Sequence, residues 1–279
     1  GIGVNQGSWM AGLAVSFNNF RPIHYDNDES MDNHEGEIDV LMTNVYGLYG
    51  LTDALNLTVR FPYKYWKQYD VEHEDAHHRN QDQTGLGDLT LGLRRIVLNE
   101  NFGPGQRLFI DGAVTLPTGK DYSINPFGNT ADSIDHTHFA LGTGQVSYTL
   151  GAEWWVRSEF PFIMGISSKF KSPLTESNAG FYPGTVAGLT FHAIKQSPLI
   201  KSIFPYLKIQ FRREWPDKWA GAIAPNSGAI FIDMVGQLIY EVNEHSSLVF
   251  TIGYPLWQVL EGSQLSSINY ALSYRFKSF

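Results

Sequence analysis

The sequence predicts an all-β protein, a transmembrane antiparallel up-and-down β-barrel of about 12 strands. Three observations predict it. Apolar and polar side chains alternate with period two along nearly the whole chain. The connections between the alternating segments are long and short in turn. No stretch approaches the roughly 18 to 20 consecutive apolar residues that a membrane helix needs, which excludes a helical membrane protein.

The alternation is the primary signal, because successive side chains of a strand point to opposite faces. In "LNLTVRFPYKY", Leu55, Leu57, Val59, Phe61, Tyr63 and Tyr65 alternate with Asn56, Thr58, Arg60, Pro62 and Lys64. The C-terminal "INYALSYRF" sets Ile268, Tyr270, Leu272, Tyr274 and Phe276 on one face, and Asn269, Ser273 and Arg275 on the other. The predicted strands cover 8–17, 37–49, 54–66, 85–98, 106–117, 143–157, 161–171, 184–194, 204–214, 229–242, 246–257 and 264–276. Long connections fall near 18–36, 67–84, 118–142, 172–183 and 215–228, and short ones near 50–53, 99–105, 158–160 and 243–245. Outer-membrane barrels have this asymmetry, with turns on the periplasmic side and loops outside. An even strand count then puts both termini in the periplasm, with residues 1–279 forming one domain.

A soluble barrel also alternates, but it fills its interior with the apolar face and points Arg60, Lys64, Asp111, Lys208 and Arg212 outward. Aromatics near strand ends, strand length and the aromatic C-terminal strand favour the membrane. Open strand edges cannot exist in lipid, so the sheet must close.

Composition agrees. The 14 Tyr, 18 Phe, 7 Trp and 27 Gly suit strands joined by turns, and the lack of Cys removes disulfides and thiolate chemistry. A net charge of -8 without a Lys/Arg block argues against nucleic acid as a partner. "GIGVNQGSWM" has neither a positive n-region nor an apolar h-region, so a secretory signal is absent or already removed.

Three stretches, "TGLGDLTLGLRR" at 84–95, "LPTGK" at 116–120 and "GTGQVSYTLGAEW" at 142–154, resemble in order and spacing the outer-membrane transporter-like family named for the meta-pathway of phenol degradation. The resemblance implies a barrel that passes aromatic compounds. Physically, Gly85, Gly87, Gly92, Gly142 and Gly144 also suit bends, bulges and close backbone approach along a barrel wall. The C-terminal strand resembles the signal read by the barrel assembly machinery, with Phe276 or Phe279 as the recognised aromatic.

The predicted lumen brings Arg60, Lys64, Arg94, Arg107, Arg157, Lys169, Lys208, Arg212 and Arg275 to face Asp88, Asp111, Glu153, Asp233 and Glu241. Such groups must pair or meet water, since an isolated desolvated charge costs several kcal/mol. They form either a salt-bridged filling or an aqueous constriction where Lys and Arg set selectivity. Loop 118–142, with Tyr122 and Phe127, exceeds an idle connection in length and either folds inward as a constriction or caps the outside.

Two acidic loops offer metal ligands. Asp26, Asp28, Ser30, Asp32 and Glu37 sit at calcium-loop spacing, though Met31 stands where the turn wants glycine. His73, His77 and His78 with Glu72, Glu74 and Asp75 are a transition-metal set. Solvated surface loops are the simpler explanation of both sets, and their acidity suits divalent ions bridging lipopolysaccharide. Catalysis is not expected: His245 and Ser246 fall in a predicted periplasmic turn, and Asp135, His136 and His138 near Ser133 lack a hydrolase spacing.

The expected function is therefore passive diffusion of a small, aromatic or otherwise poorly charged molecule, without a cofactor. Its partners would be outer-membrane lipid, lipopolysaccharide, the assembly machinery and the permeant. The alternative is a filled barrel that anchors or binds an envelope protein partner.

Overall fold

The computed structural model describes residues 3–21, 36–71, 81–100, 103–121, 140–178, 180–224, 227–260 and 265–278. Among these, twelve strands build the barrel wall. The first six are β1 (Trp9–Arg21), β2 (Gly36–Thr52), β3 (Leu55–Val71), β4 (Leu89–Asn99), β5 (Gly105–Leu116) and β6 (Ser147–Arg157). The second six are β7 (Phe162–Pro173), β8 (Val186–Lys195), β9 (Ile203–Glu214), β10 (Ala229–Glu241), β11 (Ser246–Leu260) and β12 (Asn269–Lys277). Each predicted span overlaps one of them. Gln81–Gly85 pairs with the far end of β3, ahead of β4.

Neighbours in sequence are neighbours in the sheet, all antiparallel. The sheet closes because β1 pairs on both sides, with β2 from Trp9↔Tyr49 to Phe20↔Ile38 and with β12 from Met10↔Lys277 to Phe17↔Tyr270. Every strand is thereby hydrogen-bonded on two edges, as lipid requires.

The outer face is apolar. Leu13, Val45, Leu57, Leu93, Ile110, Leu150, Phe191, Leu207, Leu238, Phe250 and Leu272 all stand exposed, Leu150 to 55% and Leu272 to 54%. A soluble barrel would bury these and turn Asp111 outward. Instead Asp111 faces inward against Arg94 while Ile110 beside it is 51% exposed, which excludes the soluble alternative. The face predicted for β12 is observed: Tyr270, Leu272, Tyr274 and Phe276 are exposed outward, and Phe276 stacks near Trp9 with ring centroids 5.4 Å apart.

Three departures from the predicted pattern have identifiable causes. First, β1 and β3 run beyond their predicted ends, to Arg21 and to Val71, alongside a β2 that starts at Gly36, within one residue of its predicted start. On this taller wall the polarity of the faces inverts. Ile38 and Val40 are buried inside, whereas Asn19 donates to Asp39 across the outer face at 2.8 Å and Arg21 pairs with Glu37 at 3.3 Å. An outer wall facing water rather than lipid explains the inversion. Second, the register shifts between Thr43 and Asn44, which oppose Lys64 and Pro62 and leave Tyr63 as the extra residue. A bulge breaks the period-two count, so the alternation that places Arg60 cannot be extended to Lys64. Third, Phe181–Tyr182, Lys218–Trp219 and Ala222–Ile223 pair into a small sheet between the predicted long loops. Asp217 pins it by accepting a hydrogen bond from the Gly184 N–H at 2.7 Å. Burial pushes the Asp217 carboxyl above its ordinary value, and that hydrogen bond opposes the shift.

The outer face carries a prediction. Leu272→Arg should destabilise the folded barrel by about 2–4 kcal/mol in lipid, whereas Leu272→Phe should change stability little. Urea titration in bilayer vesicles, followed by the gel mobility of folded and unfolded protein, measures both.

Candidate functional site: the lumen

Strand alternation sends polar and aromatic side chains inward, and they organise the lumen in three layers. At the short-turn end it is filled. Residues 3–8 precede β1 and fold into that mouth. The Val4 N–H donates to Asn56 Oδ1 at 3.1 Å and Asn56 Nδ2 returns a bond to the Val4 carbonyl at 2.8 Å. Asn56 is fully buried, and Val4 is 2% exposed. Gly3 lies so near Ile96 that a Cβ there would overlap it and press on Phe109, and a Cβ on Gly50 would overlap the Asn5 backbone. Beside this plug, Ile96, Phe109 and Trp155 form a cluster with Ile163, Ile194 and Tyr206 packed against it.

The middle layer is a polar network along the wall. Arg94 donates from Nε to Asp111 Oδ1 at 2.6 Å, from Nη2 to Asp111 Oδ2 at 3.0 Å, and from Nη2 to Glu153 Oε1 at 2.7 Å. Trp155 Nε1 donates to the other Glu153 oxygen at 3.2 Å. The Trp155 ring lies over Gly165, where a Cβ would strike it, and stacks on His192 at 4.7 Å. His192 then bonds Ser167 through Nε2 at 2.8 Å and Tyr206 through Nδ1 at 2.7 Å. A serine and a histidine within hydrogen-bond reach invite a hydrolytic reading, but the ring is orientated by a neutral phenol and covered by Trp155. The arrangement braces the wall across β6, β7, β8 and β9.

The long-loop end holds a cavity of about 510 Å³. Four cations line it, Arg60, Lys67, Lys169 and Lys171, against two carboxylates, Asp88 and Asp121. Lys67 donates to the Ala140 carbonyl at 2.7 Å, and Arg60 Nε reaches Asn44 Oδ1 at 3.4 Å. Leu141, Phe181 and Trp219 supply the apolar part of the lining, the last two in ring contact at 4.8 Å.

One node holds the cavity wall, and it joins the three motif stretches. Asp88 accepts hydrogen bonds from the Gly119 N–H at 2.9 Å, the Thr143 N–H at 2.9 Å and Thr143 Oγ1 at 3.0 Å. Thr118 Oγ1 donates to the Gly87 carbonyl and accepts from the Leu89 N–H, both at 2.9 Å. Gly119 and Gly142 approach so closely that a Cβ on either would overlap the other backbone, and Gly144 has φ 70°. These glycines serve close approach and turning. Asp88 lines the cavity, but its carboxylate is committed to the loop roots.

The remaining predicted lumen charges are more dispersed. Arg107 donates to Asn99 at 3.0 Å and lies over the Phe109 ring at 5.3 Å. Lys208 lies 4.8 Å over Tyr206; Arg212 lies 4.2 Å over Phe231 and pairs with Glu214 at 3.1 Å. Arg275 reaches Tyr46 at 3.3 Å, Asp233 is opposite Gln210, Arg157 is opposite Gly105, and Glu241 ends β10. Tyr122, Phe127, Asp26, Asp28, Asp32, His73, His77 and His78 lie outside the described residues, as does the Lys64 side chain. Glu37, taken from the calcium-like spacing, sits on the outer wall with Arg21. Sequence reasoning missed Lys67, Lys171, Trp219, His192 and the Val4–Asn56 pair. Lys171 was legible: it shares the inward face with Lys169 two residues before it.

No family model and no curated protein matches the chain. Among solved structures the barrel resembles an outer membrane channel from Pseudomonas putida F1, with TM-score 0.72 and 14% identity over 99% of this chain and 97% of that one. It also resembles the translocator domain of the autotransporter NalP from Neisseria meningitidis, with TM-score 0.53 and 8% identity over 99% and 90%. A third similarity is to the β domain of the Bordetella autotransporter BrkA, with TM-score 0.50 and 10% identity over 96% and 99%. At these identities the likeness is one of fold: a closed outer-membrane-type barrel.

Arg94→Met should destabilise the barrel by about 3–5 kcal/mol, because Asp111 and Glu153 lose the cation that they share. The triple change Arg94→Met, Asp111→Leu, Glu153→Leu should recover most of that loss. Urea midpoints of the two variants against the parent check both.

Proposed function

We propose that this chain is a channel of the outer membrane for passive diffusion of small molecules, with its long loops outside and its termini in the periplasm. The observation that carries the reading is the cationic cavity. Among the described residues Arg60, Lys169 and Lys171 line it with no carboxylate at ion-pair distance, which is not the pattern of a salt-bridged filling. Such a cluster is stable only when it meets water or a ligand, and it lies in the lumen beneath the loops. The fold likeness to an outer membrane channel supports the same reading.

In this reading residues 3–8 close the periplasmic mouth at rest and loop 118–142 guards the outer one. The loop roots support the second assignment, because Leu141 is buried and the Leu141 and Gly142 N–H groups both donate to the Lys120 carbonyl at the cavity wall. The resemblance to the phenol-degradation family adds small organic compounds, aromatic ones among them, as permeants.

Single-channel recording in planar bilayers tests the proposal. Asn56→Ala removes both hydrogen bonds to Val4, and the expected result is a several-fold rise in conductance or open time over the parent. Silence from the parent, from Asn56→Ala and from a form lacking residues 3–7, in protein shown to be folded and inserted, would replace the channel with an envelope anchor.

A further inference from the structure

We infer that the long-loop cavity is a binding site for a small organic monoanion, a carboxylate carrying an apolar body. The inference rests on the channel reading for its role but names the ligand class from the cavity itself.

Charge sets the head group. Lys169 and Lys171 are separated by one residue on β7 and therefore share the inward face. Gly188 and Val186 oppose them on β8, so no carboxylate is supplied by that neighbour. On the other side, Lys169 is opposite Gly151 and Lys171 is opposite Thr149. Among the described residues no carboxylate lies within ion-pair distance of either lysine. Arg60 from β3 lines the same space and bonds only a neutral amide, Asn44. Three cationic groups thus converge where the Asp88 oxygens are already occupied by three donors. With Asp121 at the loop root included, cations still outnumber carboxylates among the described lining residues. An anion here gains charge-assisted hydrogen bonds in a space partly shielded from bulk water.

The rest of the lining sets the body. Leu141, 4% exposed, and Trp219, 5% exposed, together with Phe181, Pro62 and Ala113 supply the apolar part of the same lining. A phosphate or chloride would leave that part unused; a neutral ring would leave the lysines unpaired. A carboxylate with a ring or short chain uses both. At about 510 Å³ the cavity falls within the roughly 300–1,000 Å³ typical of small-molecule sites. Hydroxyls of Thr90, Thr115 and Thr149 also line the cavity and supply neutral donors for a carboxylate.

Benzoate and benzamide, which share shape but not charge, are the probes. Binding to the full chain in detergent micelles is followed by calorimetry and by tryptophan fluorescence, and conductance is recorded separately in bilayers. We expect benzoate to bind the parent roughly ten-fold or more tightly than benzamide. Lys169→Gln/Lys171→Gln should abolish that preference while heat-modifiable gel mobility shows an intact barrel. Trp219→Ala should weaken both probes alike. Equal binding of the two probes, no binding of either, or an unchanged preference in the lysine variant would overturn the site. Binding without conductance would leave the site standing and reject the channel; conductance without benzoate preference would do the reverse.

Discussion

Closure of the sheet is the constraint from which the other features follow. Because β1 gives one edge to β2 and the other to β12, no backbone donor or acceptor of the wall is left to lipid. Closure also fixes what faces inward. Twelve strands enclose a lumen of intermediate width, too wide to be filled by wall side chains alone at every level and too narrow to hold unpaired charges freely in bulk water. The chain therefore has to furnish its own interior, and it does so differently at its two ends.

At the short-turn end the furnishing is apolar and tightly fitted. Val4 enters from outside the sheet, Phe109 fills the space beneath it without any exposure, and the Trp155 ring occupies the volume that Gly165 leaves vacant. The charges nearest this core are the most completely satisfied. Arg94 uses its fork on Asp111 and still reaches Glu153, while Trp155 holds the second Glu153 oxygen. Multiple bonds of this kind are what make an ion pair removed from water tolerable. At the long-loop end the structure depends instead on backbone. Asp88 takes the N–H groups of two loop roots, and the glycines bring those roots into contact. With the roots fixed by an aspartate that immediately precedes β4, the cationic side chains of the cavity are not needed to hold the loops.

How much of this was legible follows from which interactions are local in sequence. The strands were legible because each carries its own period-two record, and the inward positions of Arg94, Asp111 and Glu153 follow directly from Leu93, Ile110 and Trp154 facing out. A bulge leaves no such record: nothing in "RFPYKY" announces that Tyr63 will be the extra residue, so the count from Arg60 to Lys64 fails while Lys67 reaches the lumen. The Val4–Asn56 pair joins positions 52 residues apart, and an asparagine at a strand start reads as an ordinary inward polar residue. The three glycine-rich stretches were recognisable as motifs, but their shared purpose was not, because Asp88, Gly119 and Thr143 meet only after the wall has closed. The extra height of β1 and β3 beside β2 was hidden by the inversion of the faces: beyond the apolar band, alternation continues with the opposite sign, and "NNFR" and "KQYDV" then read as loop after strand.

The wall network also bears on what a permeant would meet after the cavity. Between the long-loop cations and the plug stand Asp111 and Glu153, two carboxylates that alone would repel an anion. Arg94 neutralises one unit of their charge by direct pairing, and Arg107, which shares the Phe109 ring with Arg94 at 5.3 and 5.1 Å, places a second cation beside them. Lys208 over Tyr206 and Arg275 beside Tyr46 also face inward, so among the described residues the cations of the middle lumen are not outnumbered by its two carboxylates. In a narrow, low-dielectric passage the field that matters is this local sum and not the net charge of the whole chain, which is -8. An anion held above is therefore opposed in its descent less by charge than by volume, and among the described residues that volume is occupied by residues 3–8, which enter the lumen without belonging to the wall.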